Sequence, residues 1–95
     1  MQTITTRKQA IAQGSKDGLA ELDLYYETAA RQDQEGNGTE EARESAEITL
    51  RRGSELDGES ASHRKVSDRW RQVYFAAYQR GAKRAAARYL AETAE

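Results

Sequence analysis

Not one of the 95 residues is proline, and this absence constrains the fold more than any other feature of the sequence. Proline is the strongest breaker of helices, so glycine is the main residue type that can interrupt or end a helix in this chain. Apolar residues recur at three- and four-residue steps in three segments. We therefore predict an all-α fold with helices over about 4–34, 39–52 and 62–91, arranged as a helical hairpin or a three-helix bundle.

The first predicted helix contains two glycines, and they leave its continuity open. Apolar residues follow the helical period across 4–29, but Gly14 and Gly18 weaken the helix between them. One long helix and a pair of shorter helices with a break at Gly14–Gly18 are both compatible with the pattern. Alternation at 22–26 is also typical of a strand, but no other segment offers a strand partner, so we predict helix there.

Short polar residues and glycines indicate where the helices begin and end. Thr5 or Thr6 can cap the first helix, and Thr39 can cap the second after a glycine-rich turn. Gly53 is placed to stop the second helix, and a polar linker follows over 53–62. We predict a single small helical domain spanning 1–95, with flexible linkers near 35–38 and 53–62.

Aromatic and small residues define the predicted core. Tyr25 and Tyr26 point about 100° apart on a helix, so we expect one in the core and the other available to a partner. The third helix repeats apolar and small residues along one stripe. Its predicted core face consists of Val66, Trp70, Val73, Tyr74, Ala77, Gly81, Ala85 and Tyr89.

Large apolar residues are scarce, because isoleucine, leucine, valine, methionine and the aromatics together supply only 19 positions. A fully buried large side chain contributes roughly 1.5–3 kcal/mol to the stability of the fold. A small domain with few such side chains is therefore only marginally stable. We therefore expect either a homo-oligomer that completes the core or a protein that is most rigid when bound to its partner. A modest monomeric helical hairpin is the alternative.

Several classes of site are excluded or disfavoured. The chain has no cysteine, so disulfides and thiolate metal sites are absent and the cytoplasm is the expected compartment. No apolar run approaches the ~20 residues of a membrane span. His63 is the only histidine, and it is too isolated for a transition-metal site. We predict no metal, no cofactor, no small-molecule substrate and no catalytic residues.

Basic charge is concentrated in the last third of the chain. The stretch from Arg64 to Arg88 carries eight basic residues against one acid, Asp68, and it contains four of the seven aromatics. Residues 1–50 have a net charge of −5, whereas residues 51–95 have a net charge of +4. Basic residues interleaved with aromatics on a helix are typical of a surface that meets an anion.

A helical projection separates this segment into a core stripe and a neighbouring basic stripe. Phe75 falls opposite the Val66 side of the projection, which favours an oligomer or partner interface for this ring. Arginine and lysine side chains could pair with anions while the aromatics pack or stack beside them. The predicted partner-binding residues are Lys65, Arg69, Arg71, Phe75, Tyr78, Arg80, Lys83, Arg84 and Arg88.

Three interpretations of this surface remain open. The acids of the first half of the chain could neutralise the basic helix internally, and an acidic protein or a nucleic acid could bind it. No recognisable zinc finger, RNA-binding sheet or short helix-turn-helix is present. The favoured hypothesis is a small non-catalytic protein-interaction regulator or inhibitor, which the composition predicts to be a homodimer. A nucleic-acid-binding accessory protein is the alternative.

Overall fold

A computed structural model describes residues 3–32, 38–54 and 65–94 of the chain. Within these ranges it confirms an all-α fold of three helices, with one two-stranded sheet of minimal size. In chain order the elements are β1 (Thr3–Ile4), α1 (Arg7–Gln32), α2 (Gly38–Arg52), β2 (Lys65–Val66), a 3₁₀ turn (Asp68–Trp70) and α3 (Arg71–Thr93). The predicted linkers near 35–38 and 53–62 lie mostly outside the described residues.

Helix α1 is continuous, so the break considered at Gly14–Gly18 does not occur. Its start is fixed by side chains: the Gln9 amide N–H donates to the Thr6 hydroxyl (3.2 Å), and the Thr5 N–H donates to the Gln9 side-chain carbonyl (3.1 Å). These bonds satisfy backbone donors that a helix N-terminus leaves free. Thr6 is therefore the cap of the two predicted candidates.

Helix α2 ends where the sequence predicts. Gly53 has a φ of 84°, a left-handed conformation that favours glycine, and its N–H donates to the Thr49 carbonyl (2.7 Å). The helix begins at Gly38, which places Thr39 in its first turn with Glu40 and Glu41. Acids in a first turn interact favourably with the helix dipole.

The start of the third helix differs from the prediction. Val66 is buried, as expected, but it belongs to β2 rather than to a helix beginning near 62. β2 pairs in parallel with β1, so that Ile4 lies beside Val66. Trp70 closes this end of the fold from the 3₁₀ turn, because its indole N–H donates to the Thr5 carbonyl (2.9 Å). Sequence reasoning missed the pair because two residues are too few to show a strand period.

Helices α1 and α3 run parallel and approach each other closely along three glycines, Gly14, Gly18 and Gly81, which we call the glycine seam. A Cβ atom on any of them would lie within 3.0 Å of a backbone atom of the opposite helix. Gly14 faces the backbone around Tyr74, and Gly18 faces the backbone around Tyr78. Without glycine at these positions, the two backbones would have to separate.

Small residues continue the close packing through the core. Seven alanines among the described residues are fully buried, beside a few large side chains. The largest fully buried side chains are Tyr26, Tyr74, Tyr78, Ile4 and Leu22. The core thus depends on short interhelical distances rather than on many large residues.

Helix α2 packs antiparallel to α3. The Arg43 guanidinium reaches the C-terminal end of α3, where it donates to the Leu90 carbonyl (3.3 Å) and to the Thr93 hydroxyl. At the other end, the Gln79 side chain accepts from the Ser54 N–H (2.5 Å) and donates to the Ser54 carbonyl (2.7 Å). A cation at a helix C-terminus interacts favourably with the helix dipole, which supports the Arg43 contact. The contacts of Arg43 and Gln79 together hold α2 at this position along α3.

The glycine seam predicts an inverted response to alanine substitution. In an exposed helix, Gly→Ala stabilises by up to about 1 kcal/mol. We expect Gly18→Ala instead to lower the free energy of unfolding by about 2 kcal/mol or more, because the new Cβ collides with the Tyr78 backbone. Chemical denaturation measures the change. Lys16→Ala on the exposed face of α1 is the control and should stay within about 0.5 kcal/mol. A more stable Gly18→Ala variant would contradict the close approach.

Candidate partner-binding surface

The structure divides the nine predicted partner-binding residues among different environments. The two aromatics are partly or fully buried, whereas all seven basic residues are exposed. Their positions along β2, the 3₁₀ turn and α3 decide which of them are available to a partner.

Tyr78 was predicted to lie on the binding surface, but its side chain is 0% exposed and belongs to the core. Its hydroxyl donates to the Glu21 carboxylate (2.8 Å) on α1. Tyr74 donates to the buried Asp17 in the same way (2.5 Å), one turn earlier on both helices. Helix α3 packs against two neighbours, so it buries a wider stripe than the projection assumed.

Phe75 is also corrected. It is half-buried and packs against the core cluster that contains Ile4, Val66 and Tyr74, with its ring edge-on to Tyr74 (centroids 6.0 Å apart). The ring therefore packs within the protomer, and part of it stays exposed. The aromatic contribution to the predicted surface is thus reduced to the exposed part of Phe75.

Arg88 and Arg71 have carboxylate partners within the chain. Arg88 pairs with Asp23 on α1 and also approaches Glu92 (3.8 Å). Arg71 lies 3.6 Å from Asp68 at the start of α3. Exposed pairs of this kind contribute little stability, but they lower the net charge that these arginines present to a partner.

Lys65 and Arg69 lie at the end of the molecule where α1 and α3 begin. The Arg69 guanidinium stacks over the Trp70 ring, 4.8 Å from its centroid. This cation–π contact occupies one face of the indole and orients the arginine along the protein surface.

Arg80, Lys83 and Arg84 form the part of the predicted surface that stays open, and we call them the basic strip. All three side chains are exposed on the face of α3 that points away from the buried Tyr78, Gly81 and Ala85. Within residues 3–32, 38–54 and 65–94, none of the three forms an ion pair. The exposed alanines on the same face are Ala76, Ala87 and Ala91, which keep the surface between the charges low.

The acids of the first half of the chain neutralise the basic helix only in part. In the described part of the chain, Asp23 with Arg88 is the one ion pair that joins two helices. Glu27 pairs with Arg31 on its own helix (2.5 Å). Four glutamates of α2 instead point to solvent: Glu40, Glu41, Glu44 and Glu47.

Sequence reasoning missed a groove of about 390 Å³ between α1 and α2. Tyr25 and Ile48 line it and remain 45% and 44% exposed, while Tyr26 beside it is fully buried. The adjacent tyrosines thus divide as predicted, one in the core and one outside. The adjacent tyrosines were the available signal in the sequence, because one of them was expected to lie outside the core. The groove itself is formed by residues of two helices, and the sequence does not specify how those helices pair.

The Tyr26 hydroxyl lies beneath this region. Burial raises the pKa of the Tyr26 phenol above its ordinary value of 10.0, and a smaller opposing effect comes from the nearby Thr49 side chain. Tyr25 and Asp23 raise this pKa further. The hydroxyl forms no hydrogen bond of standard distance and angle with the described residues, so the contact with Thr49 is a weak one.

Comparison of the chain with protein-family models, curated proteins and solved structures finds no match. Among the described residues, no helix has the length and apolar character needed to cross a bilayer.

Two tyrosine substitutions test the core assignment of Tyr78. We expect Tyr78→Phe to lower the free energy of unfolding by about 1–2 kcal/mol, because it removes the hydrogen bond that the buried hydroxyl donates to the Glu21 carboxylate. Tyr26→Phe removes a hydroxyl with no standard hydrogen bond and should change stability by less than about 0.5 kcal/mol at pH 7. Equal losses in denaturant melts of the two variants would refute the assignment.

The raised pKa of Tyr26 predicts a loss of stability in alkali. Above about pH 10 the unfolded chain releases the phenol proton while the folded protein retains it, so ionisation favours unfolding. The contribution of Tyr26 is complete below pH 10 and is lost as pH rises through the folded pKa. Denaturant melts between pH 9 and 11 should show a shallower decline for Tyr26→Phe than for the unmodified protein. Identical slopes would rule out a raised Tyr26 pKa.

Proposed function

We propose that this chain is a small, non-catalytic, cytoplasmic protein-interaction module, which acts as a regulator or inhibitor by binding an acidic surface of a partner protein through α3. The observation that carries the proposal is the basic strip: three exposed cations without an intramolecular ion pair in the described ranges. Arg80 and Arg84 are like-charged neighbours on one helix, an arrangement that destabilises an isolated helix by a few tenths of a kcal/mol. An external anion would relieve that repulsion.

The width of the strip favours a protein partner over a nucleic acid. The cations occupy the outer face of one helix, whose diameter is about 10–12 Å. Helix α2, which packs alongside, exposes four glutamates, and Asp23 and Glu92 lie around Arg88. A duplex carries phosphates on both sides of a major groove about 12 Å wide, so those flanking acids would repel it. An acidic helix of a partner protein could instead contact the basic strip without contacting the flanking acids.

The shape of the strip supports the same choice. Ala76, Ala87 and Ala91 are exposed between and beside the basic side chains, so a partner helix could approach the α3 backbone closely. The burial of Tyr78 and the inward packing of Phe75 reduce the aromatic surface available for the stacking that single-stranded nucleic acids use. A homodimer, as the composition predicts, remains part of the proposal, and sedimentation of the purified chain would test it.

Charge reversal tests the role of the strip. We expect a triple variant, Arg80→Glu, Lys83→Glu and Arg84→Glu, to lose partner capture from nuclease-treated extract by at least about tenfold. The control variant carries the same change in charge on exposed residues of α1: Arg7→Glu, Lys8→Glu and Lys16→Glu. It should retain capture, and circular dichroism should show equal helicity for both variants.

The outcomes separate the candidate functions. Equal losses for both triple variants would mean that overall charge, rather than the strip, governs capture. Capture that disappears with nuclease treatment, together with a steep fall in oligonucleotide affinity as salt rises, would favour the nucleic-acid alternative. Full capture by the α3 variant would exclude the strip as the binding surface.

A further inference from the structure

The groove between α1 and α2 combines an apolar wall with a single charge. Tyr25 and Ile48 form exposed apolar walls from the two helices. Arg52, in the last turn of α2, is the one charged side chain among the described residues that line the groove. The volume of about 390 Å³ falls within the range of small-molecule sites, which are mostly apolar with a few polar groups that orient the ligand.

Polar groups at the base of the groove add directional chemistry. Ser45 and Thr49 contribute hydroxyls to the lining, and Thr49 is only 6% exposed. Behind Thr49 lies the fully buried Tyr26, whose hydroxyl forms no standard hydrogen bond with the described residues. Tyr26 is fully buried and does not line the groove, so hydroxyls for a ligand come from the lining itself, Ser45 and Thr49 among them.

We propose that this groove is a binding site for a small apolar carboxylate. The apolar body of the ligand lies between Tyr25 and Ile48, and its carboxylate pairs with the Arg52 guanidinium. The planar fork of arginine matches both oxygens of a carboxylate, which gives the site its preference for this head group. The groove involves α1 and α2, whereas the basic strip is on α3, so the two proposals stand or fall separately.

Three probes of equal chain length isolate the head group: octanoate, octanol and octylammonium. We expect octanoate, added to the full-length ¹⁵N-labelled protein, to cause saturable shifts of the Tyr25, Ile48 and Thr49 amide signals. Octanol lacks the charge and should bind about tenfold more weakly, because a charged hydrogen bond is lost. Octylammonium should bind more weakly still, since it places a cation beside Arg52.

Neighbouring residues provide matched control variants. Arg52→Gln should weaken octanoate binding about tenfold and abolish the preference over octanol, whereas Arg51→Gln should leave both unchanged. Ile48→Glu should block the groove. Leu50→Glu is its control, because Leu50 is also exposed on α2 (42%) but does not line the groove. Amide signal dispersion confirms that each variant is folded.

Several results would overturn the site. These are the absence of octanoate-dependent shifts at groove residues, equal effects of Arg51→Gln and Arg52→Gln, or equal affinities for all three probes. Shifts spread over Leu24 and Leu50 as strongly as over the groove would indicate non-specific adsorption to exposed apolar residues. Loss of octanoate binding in the α3 triple variant would also count against a separate site.

Discussion

The close approach of α1 to α3 is the constraint on which the rest of the structure depends. Gly14, Gly18 and Gly81 let the two backbones come together, and nearby alanines continue the short separation. Because the helices are so close, their few large side chains fill the remaining space. A chain poor in leucine, isoleucine and valine can thereby reach a packed interior, since dispersion contacts depend on interatomic distance rather than on side-chain size alone.

The same closeness explains why two core positions of α3 are tyrosine rather than phenylalanine. Tyr74 and Tyr78 cross the interface one turn apart, and their hydroxyls reach Asp17 and Glu21 on the opposite helix. These hydrogen bonds fix the register of the parallel pair, because a shift of one helix along the other would leave buried hydroxyls without acceptors. The β1–β2 pairing and the Trp70 hydrogen bond close the end where both helices begin.

Much of the fold could be predicted from the sequence, but less of the candidate site. Helical periodicity located the three helices, and Gly53 marked the end of α2, because both signals are local. Gly14 and Gly18 were ambiguous, since a glycine that weakens a helix and one that admits a neighbouring backbone look identical in sequence. Tyr78 was assigned to the surface because a projection of one helix cannot show how many neighbours that helix has. The groove was missed for the related reason that its lining comes from two helices.

Helix α3 tolerates like charges on its outer face because its buried face holds it in place. Arg80, Arg84 and Arg88 repel one another along one helix, and this repulsion opposes helix formation in an isolated peptide. In the folded chain, α3 is stabilised mainly by its buried face against α1 and α2, as most protein helices are. Its outer face is therefore free to carry unfavourable charge without loss of structure. The tolerance for an unneutralised surface depends on the glycine seam, so a change that separates α1 from α3 would weaken the fold and the presentation of the basic strip together.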